Sequence, residues 1–108
     1  MDTLYILVDG KPVIEPSLFS WLTWFIDTNN RRIDYDAIGD AHVSTVFLGI
    51  DHGFGSDRPV LFETMVFGGE HDEYQKRYCT IEEALQRHRE VVNLVTGIQT
   101  PEEGFLND

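Results

Sequence analysis

Few side chains in this sequence are placed to do chemistry, and those few are scattered. His42, His52 and His71 stand beside or near Asp40, Asp51, Glu70 and Asp72, the mixture of imidazole and carboxylate that binds divalent cations. Spacing argues against one shared ion. If residues 42–50 and 60–67 are neighbouring strands of an antiparallel meander, His52 lies at one end of the sheet and His71 at the other. At about 3.3 Å per residue they are then more than roughly 20 Å apart. His42 and His71 do fall at the same end, beside Asp40, Glu70 and Asp72, and are the weak metal candidates of the chain. No HxxxH helical spacing accompanies them, so the expectation is no metal and no cofactor.

Glu63 is a carboxylate inside LFETMVF, a segment otherwise suited to a core. Buried alone it would hold its proton more tightly and become a candidate acid or base. The plainer reading is that it faces water or pairs with an arginine on a neighbouring strand. Without a nucleophile or an oxyanion-stabilising motif, one carboxylate is not an active site. The loop DHGFGSDRP places Asp51 and His52 at its start, Phe54 between two glycines and Arg58 near its end. It reads either as an ordered connection or as a binding loop with Phe54 as anchor. It is not a phosphate-binding loop, because no helix opening with Lys-Ser or Lys-Thr follows. His88 lies on an apolar helical stripe and reads as a satisfied core or boundary histidine. Cys79 is the single cysteine, which excludes an intrachain disulfide and suits a reducing compartment.

The elements that must carry these residues follow from periodicity. Thr3 to Val8 is a β-prone run ending in the turn Asp9-Gly10-Lys11-Pro12. Pro16 suits a first helical turn, and Leu18, Trp21, Leu22 and Phe25 recur at helical spacing, with Phe19 and Trp24 off that stripe. Asn29-Asn30 is expected to end this helix. Arg32, Asp34 and Asp36 then alternate with Ile33, Tyr35 and Ala37, the pattern of a half-exposed strand whose polar face suggests a sheet edge or a solvent-facing row. Strands over His42 to Ile50 and Val60 to Phe67 follow, then a short strand within Glu73 to Cys79. Thr80 with Glu83 forms a capping box, and Ile81, Ala84, Leu85, His88, Val92 and Val95 mark one face of a helix ending near Gly97. The order predicts an α+β domain over 1–100, an antiparallel sheet of four or five strands with two helices packed mainly on one face, and an irregular tail over 101–108.

Pairing Ile50 opposite Pro59 assigns the sheet faces. Val43, Thr45, Phe47, Phe62, Thr64 and Val66 share one; Ser44, Val46, Leu48, Leu61, Glu63 and Met65 share the other. Two helices cover one face well, so Val46, Leu48 and Met65 are candidates for a surface that meets another molecule.

The chain has 108 residues, 42% of them hydrophobic, and a formal charge of -11. That composition suits a globular protein, and the charge disfavours direct binding to nucleic acid or anionic lipid. No apolar run approaches the roughly 20 residues that span a bilayer, nor does the start resemble a secretion signal. The segments WLTWFIDTNNRRI, VSTVFLGIDHGFG, LFETMVFGG and RYCTIEEALQRH resemble a group of small, mostly uncharacterised proteins encoded by bacteriophages and prophages. The resemblance covers the chain from about Trp21 to His88. It implies an intracellular role in the cytoplasm of an infected or lysogenic host, and it brings no activity or site residues with it. The expected function is a non-enzymatic phage accessory protein that binds a host or phage protein, with a homodimer as one form. The alternatives are an acidic DNA-mimic inhibitor of a nucleic-acid-binding protein, and a small enzyme or ligand-binding protein using His42, Glu63 and the 51–58 loop.

Overall fold

Val43, Thr45 and Phe47 alternate with His42, Ser44 and Val46, and this period of two sets the centre of the molecule. In the computed structural model, which describes residues 3–53, 55 and 57–97, strand β4 (Ala41–Phe47) pairs antiparallel with β5 (Phe62–Phe67). The register places Val43 opposite Val66, Thr45 opposite Thr64 and Phe47 opposite Phe62, as the sequence pattern predicts. All six of these side chains are completely buried. The face they form is therefore the covered one. Strand β3 (Arg32–Ile38) flanks β4 and β6 (Gln75–Tyr78) flanks β5, giving a four-stranded antiparallel sheet with β3 and β6 as its edges.

The cover is α3 (Ile81–Thr96). The Thr80 hydroxyl accepts the Glu83 amide at its start, and Gly97 closes its end in the left-handed conformation, as the capping signals require. Ala84, His88 and Val91 are its buried residues, and the helix packs across β3, β4, β5 and β6.

The N-terminal segment differs from the sequence expectation. Instead of one strand and a turn it forms a hairpin, β1 (Tyr5–Val8) and β2 (Lys11–Ile14), as a separate two-stranded sheet. Asp9 and Gly10 alone make the turn, both at positive φ. The hairpin joins the main body through a Leu4–Ile50 bridge and the Tyr5 amide donating to the Gly49 carbonyl. Helix α1 (Leu18–Phe25) follows, capped by Ser17. Its Trp21 indole donates to the Tyr5 carbonyl at 3.0 Å, and Trp24 meets Phe47 edge-on. Tyr5, Leu7 and Trp24 thereby join a cluster with Phe47, Leu61, Phe62, Tyr78 and Ala84.

Asn29 and Asn30 do not end α1 in left-handed backbone. Asp27 caps a second, one-turn helix, α2 (Thr28–Arg31), that contains both asparagines. An aspartate that accepts the Asn29 amide two residues on starts a turn of helix more readily than Asn-Asn stops one.

Glycine matters most where β5 leaves the sheet. Gly68 has φ +83, and a Cβ there would lie 2.3 Å from the Asp40 carbonyl oxygen. Gly97 has φ +80 with nothing within 4 Å of such a Cβ. Gly97→Ala should cost only backbone strain, about 1–2 kcal/mol. Gly68→Ala adds a backbone clash, so its urea-unfolding free energy should fall distinctly further; equal losses would contradict the close approach.

Candidate functional site

Thr45, Thr64 and His88 are polar residues set on apolar faces of β4, β5 and α3, and burial obliges each to find a partner. They find one another. The Thr45 and Thr64 hydroxyls lie 2.6 Å apart, and Thr45 Oγ1 lies 2.7 Å from His88 Nδ1. On its other side, His88 Nε2 lies 2.8 Å from Asp36 Oδ2 and 3.7 Å from Asp34 Oδ2. His88 is 1% exposed, so the imidazole is held inside while the carboxylates sit at the rim of α3.

The row has a direction. An ionised carboxylate only accepts, so a neutral His88 carries its proton on Nε2 and donates to Asp36. Nδ1 then accepts from Thr45, whose oxygen accepts from Thr64. Beyond Thr64 lies Tyr78 on β6. Its hydroxyl is the buried side-chain polar atom without a hydrogen bond among the described residues. Burial raises the Tyr78 pKa to about 12, and the nearby Thr64 hydroxyl offsets part of that rise. The polar row thus crosses all four strands of the main sheet beneath α3.

A local irregularity aims the carboxylates. Arg32 pairs with Val46, but Asp34 pairs with Thr45, so two residues of β3 advance against one of β4. Such a bulge reverses which face a residue occupies. Asp34 and Asp36 therefore share the α3 side with their partners Thr45 and Val43, while Tyr35 and Ala37 pair with Ser44 and His42 on the other face. Of the two settings expected for the polar residues of this strand, a sheet edge or a solvent-facing row, the edge is the one found, since β3 borders the sheet. The bulge between Arg32 and Asp34 puts the two aspartates on the other face from Arg32, which the period alone does not show. Asp34 is further fixed by its Oδ1 accepting the Tyr35 amide at 2.9 Å.

Asp–His–Thr has the order of an acid, a base and a hydroxyl nucleophile, yet Thr45 and Thr64 are fully buried. No substrate reaches either hydroxyl in this fold.

The residues singled out from sequence are dispersed. Glu63 Oε2 accepts from Arg77 Nε at 2.9 Å and Gln75 Nε2 at 2.5 Å, the pairing with a neighbouring-strand arginine that its sequence setting allows. Val46, Leu48 and Met65 are half-buried on the same side of the sheet. Asp51 closes the neck of its loop by accepting the Gly53 amide at 2.7 Å and the Val60 amide at 2.8 Å. These bonds hold its pKa below the ordinary value. His52 is half-buried and Arg58 exposed; Phe54 and the tail over 101–108 lie outside the described residues. His42 hydrogen-bonds to the Tyr35 hydroxyl and pairs with Phe67, four residues along β5 from Glu63. His42 and Glu63 are thus separated by about 13 Å of strand and line no common site. His42 and His71 form no group of three close donors; among the described residues that group is Asp34, Asp36 and His88.

The most exposed apolar surface among the described residues also lies elsewhere than expected. Among the described residues, Val8, Val13, Ile14, Leu18, Phe19, Leu22 and Ile26, seven of the nine exposed large hydrophobic residues, lie in or beside the hairpin and α1, not on the open sheet face. Among the described residues no helix is long and apolar enough to cross a membrane. No protein-family model, no curated protein and no solved structure matches this chain.

Two contrasts test the polar row and the loop. Thr45→Val leaves His88 Nδ1 and the Thr64 hydroxyl without their partner and should cost about 1–3 kcal/mol in chemical unfolding, whereas Tyr78→Phe removes an unbonded hydroxyl and should be nearly neutral or stabilising. For Asp51 the folded state binds the proton less tightly than the unfolded state, whose value is 3.8. Its contribution is therefore complete above about pH 4 and is lost as pH falls through the lower folded value. The stability gap between wild type and Asp51→Ala should narrow on acidification through that window.

Proposed function

We propose that this protein works by binding another protein through the outward face of α1 and the adjoining hairpin. One observation carries the reading: α1 is apolar on both sides. Trp21 is buried, and Trp24 and Phe25 are half-buried against the body. Outward, Phe19 is 80% exposed, Ile26 69%, Leu18 61% and Leu22 49%. A helix that is hydrophobic all round is normally buried all round, and a contiguous apolar surface on a soluble domain marks an interaction site. Leu18, Leu22 and Ile26 recur every four residues with Phe19 beside them, the spacing by which a helix seats in a partner's groove.

Charge favours the same surface. From Val8 to Ile26 the charged side chains are Asp9, Lys11 and Glu15, against -11 for the whole chain. The contact face is nearly neutral and the repulsion between copies comes from the rest of the molecule, so a different protein with an apolar groove and a neutral or basic rim suits it better than a second copy. On the resemblance to phage-encoded proteins, that partner is a host or phage protein in the host cytoplasm. Mimicry of a nucleic acid backbone is less well supported, because Asp34 and Asp36 converge on His88.

A photo-reactive amino acid at Phe19 should yield a discrete cross-linked product in the bacterial cytoplasm, whereas the same group at Gln86 on exposed α3 surface should not. Leu22→Asp should remove the product. Equal labelling at both positions, or none at Phe19 in folded protein, would defeat the reading, and a product of twice the chain mass would make the partner a second copy.

A further inference from the structure

We propose that Asp34, Asp36 and His88 form a binding site for a divalent transition-metal ion at the β3 edge beneath α3. His88 Nε2 and one carboxylate oxygen from each aspartate lie within 4.8 Å of one another. Around a zinc ion with bonds near 2.1 Å, donor atoms stand roughly 3.4 Å apart. The observed separations from Nε2, 2.8 Å to Asp36 and 3.7 Å to Asp34, lie on either side of that spacing. The two carboxylate oxygens are themselves no more than 4.8 Å apart, and both aspartates are partly exposed.

Three further features favour a metal over a simple ion pair. The bulge in β3 sets two carboxylates side by side at one imidazole, where one would satisfy the single Nε2–H. A metal ligand also needs its other ring nitrogen held, and Nδ1 is held by a buried hydroxyl, the second layer of bonding that orients ligating histidines. Finally, Tyr78 leaves a buried hydroxyl unbonded at the far end of the row. When an ion takes the Nε2 lone pair, the neutral ring changes tautomer: its one proton passes from Nε2 to Nδ1, with no net release to solvent. The chain then runs the other way: Nδ1–H donates to Thr45, Thr45 donates to Thr64, and the Thr64 hydroxyl is released to donate to Tyr78.

One imidazole and two carboxylates suit zinc, manganese or cobalt, whereas the all-oxygen shells of calcium and magnesium would leave the nitrogen unused. The exposed sides of Asp34 and Asp36 leave positions for water, so the ion would be solvent-accessible on one side.

Isothermal titration of the metal-free full chain with Zn²⁺, and with Mn²⁺, tests the site. The expected result is one saturable site whose affinity falls at least tenfold in Asp34→Asn and in Asp36→Asn. Both substitutions are at the rim and keep the side-chain shape, and a thermal melt verifies that each variant folds. His42→Gln, away from the cluster, should bind as wild type does. Absence of saturable binding of either ion, binding unchanged in both aspartate variants, or binding lost with His42 would overturn the proposal.

Discussion

The pairing of β4 with β5 is the constraint on which the molecule depends. Side chains alternate along a strand, so sliding either strand by one residue would carry Val43, Phe47, Phe62 and Val66 from α3 to solvent and bring Ser44, Glu63 and Met65 inward. Apolar burial alone resists this strongly, at roughly 25 cal/mol per Å² of surface. The threonines add direction to that preference. Thr45 and Thr64 sit opposite one another within the apolar field, and only this register lets them share a hydrogen bond and offer it to His88. The polar row therefore ties the strand register to the position of α3, since a helix moved along its axis would take the buried His88 away from both Thr45 and Asp36.

The same row reaches the edge of the sheet through Asp34 and Asp36. Between the buried threonines and the exposed carboxylates the environment changes from dry to wet over a single imidazole, which explains why this place combines fixed geometry with access from solvent. The hairpin and α1 stand apart from that design. They dock through Trp21, Trp24 and Tyr5 at the Phe47 end and turn a second apolar surface outward. The core row gives the fold its uniqueness, and α1 supplies its unsatisfied surface.

Much of the fold was legible in the sequence because it rests on period and local chemistry. The alternation in HVSTVF and LFETMVF specifies the sheet faces, and Thr80 with Glu83 starts α3 where the structure places it. The hairpin was less legible, since Lys11-Pro12 reads as turn until the Asp9-Gly10 corner is seen to be sufficient. The face of Asp34 and Asp36 was hidden for a different reason: a bulge is set by how β3 fits β4 and α3, and no periodic pattern in β3 alone encodes it. Of the candidate site, the sequence offered a signal that was read one residue at a time. Thr45, Thr64 and His88 are each a polar residue on an apolar face, and taken together they could have been paired. The histidines noticed first, His42, His52 and His71, owe their prominence to neighbouring acids in sequence, which strands separate in space.

The central claim is that His88 links a buried hydroxyl pair to the rim carboxylates with its proton directed outward. Long-range ¹H–¹⁵N correlation of the His88 ring in the metal-free protein at neutral pH reads this directly. The account predicts a protonated Nε2 and an Nδ1 that accepts a hydrogen bond. A ring protonated on Nδ1 alone would mean that Asp36 does not receive the His88 proton and that the row does not run as described.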